Sequence, residues 1–364
     1  MMELNEQDVE DVAVGAAILG SGGGGDPYLG KLMCLQALRR GKRIRLVDLE
    51  EVPEDAFIVP TAGMGTPIVL VEKLPNGSEP LNALRILEAY VGKKAYATIP
   101  IEAGGVNSTI PLAVGALADI PIIDGDGMGR AFPELQMTTF FTHGVAVSPM
   151  SMADEKGNSL LISALDGYWA EKIARVVTIK FGGIAWVAIY TMTGRQAREA
   201  VIPRTVSLAL KLGRAVREAR EMGRSPLDHL LHVSGGFELF TGKIVDVARR
   251  IAGGFTRGEA KIEGLDSYRN ETLTIQFQNE NLVAVKDGEI VASVPDLIIV
   301  LDVETAQPIT TERLRYGQRV AVIGMPCHEK WRTPEGLKVV GPRYFGYDVE
   351  YVPIERRVKG GGLK

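Results

Sequence analysis

The apolar positions change their period part-way along the chain. Over 8–19, 27–40 and 80–90 they return every three or four residues, the spacing of a helix with one buried face. Short apolar runs over 43–47, 56–60, 94–99 and 120–123 have the length of buried strands. This alternation predicts βαβ units, and so an α/β N-terminal domain with a mainly parallel sheet over residues 1–165. Ligands of such sheets sit at the carboxyl ends of the strands. The loops leaving 94–99 and 120–123 are therefore the first places to look for chemistry.

From Asp166 onward the texture differs. Segment 170–190 joins a short helix to the strand-like run 185–190, and a long helical pattern over 194–222 is interrupted at Pro203. Its arginines are interleaved with Glu199, Glu218 and Glu221, which marks a solvated face rather than a binding stripe. Beyond Lys243 the pattern is strand, turn, strand, with β-rich runs at 272–278, 282–286, 290–294, 297–301 and 319–323 and a hairpin turn at Asp287-Gly288. Residues 166–364 thus predict a β-rich α+β domain, with a frayed end over 359–364.

Composition narrows the function classes. The 364 residues are 46% hydrophobic and 24% charged, enough to bury a sizeable core. Lys+Arg number 41 against 45 Asp+Glu, a net charge of -4 without a basic stripe, so no nucleic acid is expected as a partner. Two cysteines, Cys34 and Cys327, make neither a disulfide framework nor a cysteine-rich zinc site, and fit a reducing cytoplasm. The acidic start lacks the pattern of a secretory leader, and runs such as 297–301 fall far short of the roughly 20 apolar residues of a membrane helix. No membrane association is expected; a homo-oligomer is.

The densest constellation of reactive side chains is Asp124-Gly125-Asp126-Gly127-Met128-Gly129-Arg130-Ala131-Phe132-Pro133-Glu134, directly after the run 120–123. Asp124, Asp126 and Glu134 are candidate catalytic residues. Carboxylates sharing a pocket push one pKa up, giving an acid and a base in one place, or they share a divalent metal ion. Arg130 would bind a substrate carboxylate or offset developing charge, and His143 follows downstream. The competing reading is a solvated turn whose aspartates cap a helix.

Two further loops belong beside it. In Gly20-Ser21-Gly22-Gly23-Gly24-Gly25-Asp26 the glycines follow a helix rather than a strand and lack Gly-Lys-Ser/Thr, so the nucleotide signal is weak. The amides of Gly22, Gly23, Gly24 and Gly25, with Asp26, still suit an anionic group at the start of the next helix, unless the loop is only a tight connection. Glu102, Gly105 and Asn107 leave the strand ending near Pro100. Asn107 or Ser108 alone reads as an N-cap, whereas Glu102 at a strand end is less easily dismissed. Cys327 and His328 would point to opposite faces of an extended segment, and His229 and His232 lack the accompanying glutamate motif of a zinc helix.

The segments 20–28, 102–108, 124–134, Phe277-Gln278-Asn279-Glu280-Asn281 and Val340-Gly341-Pro342-Arg343-Tyr344-Phe345-Gly346-Tyr347 resemble the S-methyl-thiohydantoin desulfurase-like family. The resemblance spans nearly the whole chain, with one family domain over about the first 165 residues and a second over the rest. It implies a cytoplasmic enzyme that removes sulfur or methanethiol from the carbon between the two nitrogens of a hydantoin-like ring. It also implies association with hydantoinase/oxoprolinase-type proteins. Chemistry then suggests a hydrolytic scheme. Asp126 or Glu134 takes a proton from water, a neighbouring carboxyl or a bound cation helps the sulfur leave, and Asp124 orients the pair. Arg130 and the glycine amides hold the anionic end, while Glu102 or Asn107 reads the ring N–H and C=O groups. The rivals are a subunit or partner of an ATP-dependent hydantoinase/oxoprolinase-type ring-opening enzyme, and a non-catalytic small-molecule-binding protein. The hydrolytic scheme requires the three loops to meet in one cavity.

Overall fold

The structure, a computed structural model, describes residues 1–66, 69, 76–253 and 255–360. Its largest sheet lies in the second half of the chain. Seven strands pair antiparallel throughout, in the order Glu289–Ser293, Glu280–Lys286, Thr272–Gln278, Phe255–Gly264, Phe237–Ala252, Arg319–Met325 and Leu297–Asp302. Alternation builds its inner face: Leu273, Ile275 and Phe277 fall on the same side of one strand and join Ala260, Ile262, Val320 and Val322 in one buried cluster. The β-rich character expected of this half is present.

The mainly parallel N-terminal sheet is not. Helices Glu6–Leu19 and Tyr28–Arg39 follow one another across the glycine turn with no strand between them, so no βαβ unit forms there. Among the described residues only Ile44–Val47 and Ile122–Ile123 form a parallel ladder, over two residue pairs, and Met2–Leu4 completes that three-stranded sheet antiparallel. The expected strand 94–99 contributes isolated parallel bridges, Ala97 to Ile58 and Thr98 to Ile122, rather than a ladder. The principal sheet of this region is antiparallel, in the order Thr61–Gly65, Ile184–Ala188, Met150–Ala153, Ser159–Ile162. The cause of the misreading is physical: a continuous apolar run reports burial on both faces, not strand direction. Ile58, Ala97 and Ile122 are all fully buried, yet they belong to isolated bridges between small sheets.

Several contacts tie the two halves of the chain together. The antiparallel sheet of the first half takes its second strand, Ile184–Ala188, from beyond residue 165. The pattern over 194–222 resolves into helices Gly194–Ala200 and Thr205–Glu221, and between them Ile202–Pro203 pairs with Gly125–Asp126. Helix Thr205–Glu221 crosses Glu6–Leu19 so closely that a Cβ at Gly15 or Gly213 would lie 1.8 Å from the carbonyl oxygen of Ala209 or Asp11. Arg217 forks onto the buried Asp11 at 2.9 and 3.0 Å, so part of the basic face expected to be solvated is ion-paired to the first helix.

Among the described residues no helix is long and apolar enough to cross a membrane. Of the end expected to fray, residues 361–364 lie outside the described ones, and helix Ile354–Gly360 precedes them.

Candidate active site

The glycine loop is built to receive side chains from the other half of the chain. Ser21 takes a left-handed φ of 51°, and its hydroxyl both donates to the Ile298 carbonyl (3.0 Å) and accepts from the Ile298 amide (2.9 Å). The amides of Asn281 and Thr311 donate to the carbonyls of Ser21 and Gly22, both at 2.8 Å. Pinned in this way, the loop offers the Gly24 amide to Glu280 Oε1 at 3.2 Å. A Cβ at Gly23 would sit 2.2 Å from that same carboxylate oxygen, so glycine is needed there for close approach. The amide of Gly24 is thus taken up by the protein's own carboxyl, and that of Gly23 by the Gly20 carbonyl at 2.9 Å. Asp26 faces elsewhere: it accepts from the Tyr28 amide at 2.9 Å and pairs with Arg313.

The segment after Pro100 lies on the other side of that loop. The Val106 amide donates to the Gly24 carbonyl at 3.0 Å, and Gly105, at φ 67°, sits at the start of helix Val106–Ala118 and donates to the Ala16 carbonyl. Asn107 does not cap this helix. Its Oδ1 accepts from the Gly63 amide (2.6 Å), and its Nδ2 donates to the Gly63 carbonyl (2.9 Å) and to Glu102 Oε1 (2.6 Å). Asn107 thus fixes Glu102 against the edge of strand Thr61–Gly65.

Glu102 and Glu280 line one cavity of about 80 Å³, together with Gly24, Asn107, Glu134, Arg175, Asn279 and the apolar Met64, Ile101, Val106, Met128, Phe132, Ile184 and Val187. Both glutamates are buried, and each keeps one carboxylate oxygen, Oε2, with no hydrogen-bond partner. A buried acceptor left without a donor costs about 1–3 kcal/mol, a cost that a bound ligand or water with a matching donor removes. Burial also raises both acids. Glu280 is pushed up to about 7, held back by the positive charge of Arg130. Glu102 is pushed well above the usual carboxylate range, by burial first and by the negative charge of Glu280 second. Two carboxyls with raised and unequal proton affinities can act as an acid and a base on one substrate.

The acidic loop itself goes mostly to structural work. Asp124 Oδ1 accepts from the Ser207 amide at 2.9 Å and Oδ2 from the Ser207 hydroxyl, which caps helix Thr205–Glu221 from outside the chain segment. Asp126 is fully buried and takes the amides of Met128 (2.9 Å) and Gly129 (2.8 Å). Burial raises its carboxyl to about 7, but it is not among the cavity residues. Arg130, also fully buried, donates to the carbonyls of Ala131, Asn281, Pro295 and Asp296, and burial lowers it to about 10. It clamps the second half of the chain to the first and supports the charge of Glu280. Glu134 alone of that loop's charged residues reaches the cavity, where it accepts from Gln136 and from the Tyr344 hydroxyl (2.9 Å). His143 is exposed at the end of the short helix Thr139–Thr142, within 2.8 Å of the Thr139 carbonyl and away from the cavity lining.

The structure thus brings together Gly24, Glu102, Asn107 and Glu134 from the expected set, and leaves Asp124, Asp126, Arg130 and His143 outside the lining. Sequence reasoning passed over Glu280 and Asn279 as site residues. Asn279 has a φ of 59°, and its Oδ1 accepts from the Thr256 amide at 2.8 Å, which places it at a break between two strands. The signal was the run Gln278-Asn279-Glu280-Asn281, four polar residues interrupting an apolar alternation and all buried. Cys327 lies apart from the cavity, and its thiol is pushed up to about 12 by burial and the nearby Asp296. Among the described residues no group of three or more His, Cys, Asp or Glu side chains is placed to hold a metal ion, so no donor set assembles there for the divalent metal that the sequence left open.

Comparison with known proteins assigns residues 7–354. The model of the S-Me-THD-like N-terminal domain matches residues 7–164, and that of the S-Me-THD-like C-terminal domain matches residues 165–354. The chain belongs to the S-Me-THD-like family. An X-ray structure of a protein from Chromobacterium violaceum is similar to this S-Me-THD-like protein over 97% of its length and 100% of the other chain, at 25% identity and a TM-score of 0.81. No curated protein matches it. Membership in this family is consistent with a thiohydantoin-related role.

Proposed function

We propose that this S-Me-THD-like protein is a hydrolase that removes methanethiol from C2 of an S-methyl-thiohydantoin in the cavity between Glu102 and Glu280. The observation that carries the reading is the pair of buried carboxyls on one cavity, each with an unpartnered oxygen and each with a raised proton affinity. The family's thiohydantoin character supplies the substrate class.

In this reading Glu280, whose charge is favoured by Arg130, is the general base, and Glu102, held neutral, is the general acid. As water adds to C2, Glu280 takes one of its protons and Glu102 gives a proton to the ring nitrogen. The tetrahedral carbon then expels the sulfur, which receives the proton from Glu280, and the C2 hydroxyl returns its proton to Glu102 as the carbonyl forms. One water is consumed, and hydantoin and methanethiol leave. Asn107, bonded to Glu102 and to Gly63, is a positioning residue that keeps the acid at the ring edge. Met64, Ile101, Val106, Met128 and Phe132 give the planar ring and the S-methyl group an apolar wall.

The test is direct. Purified protein is incubated with S-methyl-thiohydantoins in ¹⁸O-labelled water, with methanethiol trapped by a thiol reagent and the ring product weighed by mass spectrometry. The reading expects methanethiol and a hydantoin carrying one labelled oxygen, with no added nucleotide. Ring binding without product, or product only when ATP is supplied, would overturn it.

A further inference from the structure

Helix Gly167–Lys180 has two faces of unlike character. Its inner face carries the buried Ala170, Glu171, Ala174 and Thr178, and it braces the cavity: Glu171 accepts from the Leu135 amide at 3.0 Å, and Arg175 donates to Glu171 (2.7 Å) and to the Pro133 carbonyl (3.0 Å). The outer face should then be polar, as it is on an ordinary solvated helix. It is not. Leu165 just before the helix, then Tyr168, Trp169, Ile173, Val176 and Ile179 within it, are all exposed, with Leu165 at 87%, Trp169 at 50%, Val176 at 60% and Ile179 at 55%. From Trp169 on, the helical residues among them follow each other at three- and four-residue steps along one face, which they share with the exposed Lys172, its ammonium 4.9 Å from the centre of the Trp169 ring.

Six large apolar residues left this open beside one another make a patch of several hundred Å², the size that marks an interaction site and a large part of the ~800 Å² per partner of a standard interface. Two opposite charges at the ends of this helix suit a second copy, while Lys172 lies over its own Trp169 ring. Asp166, whose carboxylate caps the Trp169 amide at 2.8 Å, lies seven residues before Ile173, and Lys180 lies seven residues after it. A two-fold axis passing by Ile173 sets two such helices antiparallel, each Ile173 against its own copy and each Asp166 opposite Lys180 of the other. We infer that the outer face of helix Gly167–Lys180 is a homodimer interface, joining two copies of this chain back to back behind the walls of their cavities.

The experiment measures the molar mass of the intact chain in solution by sedimentation across the micromolar range. The wild type is expected at twice the 39.3 kDa of one chain. Ile173→Glu, which enters a two-fold interface twice, is expected to raise the dissociation constant by about 100-fold or more while leaving the circular dichroism unchanged. Lys180→Glu, which faces Asp166 in the antiparallel arrangement, is expected to weaken the dimer several-fold, and Asp166→Asn, which keeps a capping oxygen, to restore it. A wild type that stays monomeric throughout overturns the inference, whether or not it binds vesicles of phosphatidylcholine and phosphatidylglycerol. A dimer indifferent to both substitutions overturns it as well.

Discussion

Two pairs of acids, Asp124 with Asp126 and Glu102 with Glu280, show how differently a fold can use buried carboxyls. The aspartates are the conspicuous pair in the sequence, close together in a glycine-rich loop. Their oxygens are taken up by Ser207 in one case and by the amides of Met128 and Gly129 in the other. The glutamates lie 178 positions apart, and only Glu102 draws notice in the sequence, yet they share a cavity and keep one oxygen each unpartnered. Crowding of acids along the chain is a weak guide to chemistry, because local amides satisfy neighbours first. Unspent hydrogen-bonding capacity in a cavity is the better guide.

The largest effect should come from the glutamates. Glu102→Gln keeps the shape and the bond from Asn107 but cannot give up a proton, so turnover of an S-methyl-thiohydantoin is expected to fall by about 10²–10⁴-fold. Glu280→Gln should cost about 10²-fold and also remove the acid limb of the pH profile of kcat/KM, which in the wild type rises through pH about 7 as Glu280 ionises. An unchanged profile in that variant would take the base role away from Glu280.

The aspartates should answer in stability instead. Asp126→Ala strands the Met128 and Gly129 amides and is expected to lower unfolding free energy in urea by about 2–3 kcal/mol. Asp124→Ala removes the outside cap of helix Thr205–Glu221 and should cost about 1–2 kcal/mol, with turnover of the folded fraction changed by no more than a few-fold. A large kinetic loss in folded Asp124→Ala would erase the contrast between the pairs.

The pH dependence of stability sharpens it further. Asp126 and Glu280 both have carboxyls raised by burial, to about 7 in the folded chain, from the ordinary 3.8 and 4.5 of an exposed carboxyl. Protons are held more tightly in the folded state, so the stability they contribute is complete at acid pH and is lost as the pH rises through about 7. Melting temperature should therefore fall between pH 5 and 8, and Asp126→Asn and Glu280→Gln should each flatten part of that fall. A melting temperature that climbs over the same interval would contradict the buried, raised state of these acids.

Part of this was legible in the sequence. The glycine loop, Glu102, Asn107 and Glu134 stood out because strand ends and turns are where ligands are met, and the β-rich second half followed from its alternation. The parallel sheet was misread because runs such as 94–99, buried without a break only from Ala97, make only single bridges. Glu280 was missed for a related reason. Its importance comes from a contact across more than 250 residues, to the Gly24 amide, and nothing in local periodicity reports such a pairing. The space left by Gly23 carries the same information in reverse: Gly23→Ala, with a Cβ 2.2 Å from Glu280, is expected to lower turnover by about tenfold by displacing the base, the smallest of the expected kinetic effects on the glutamate pair.

The most direct measurement is a crystal structure of the protein with a hydantoin product bound. The account expects the ring in the cavity beside Asn107, with its C2 oxygen and ring nitrogens within hydrogen-bond distance of the free oxygens of Glu102 and Glu280. A ring bound against Asp124 and Ser207, or in the separate groove lined by Arg249, Arg257 and Tyr347, would contradict it.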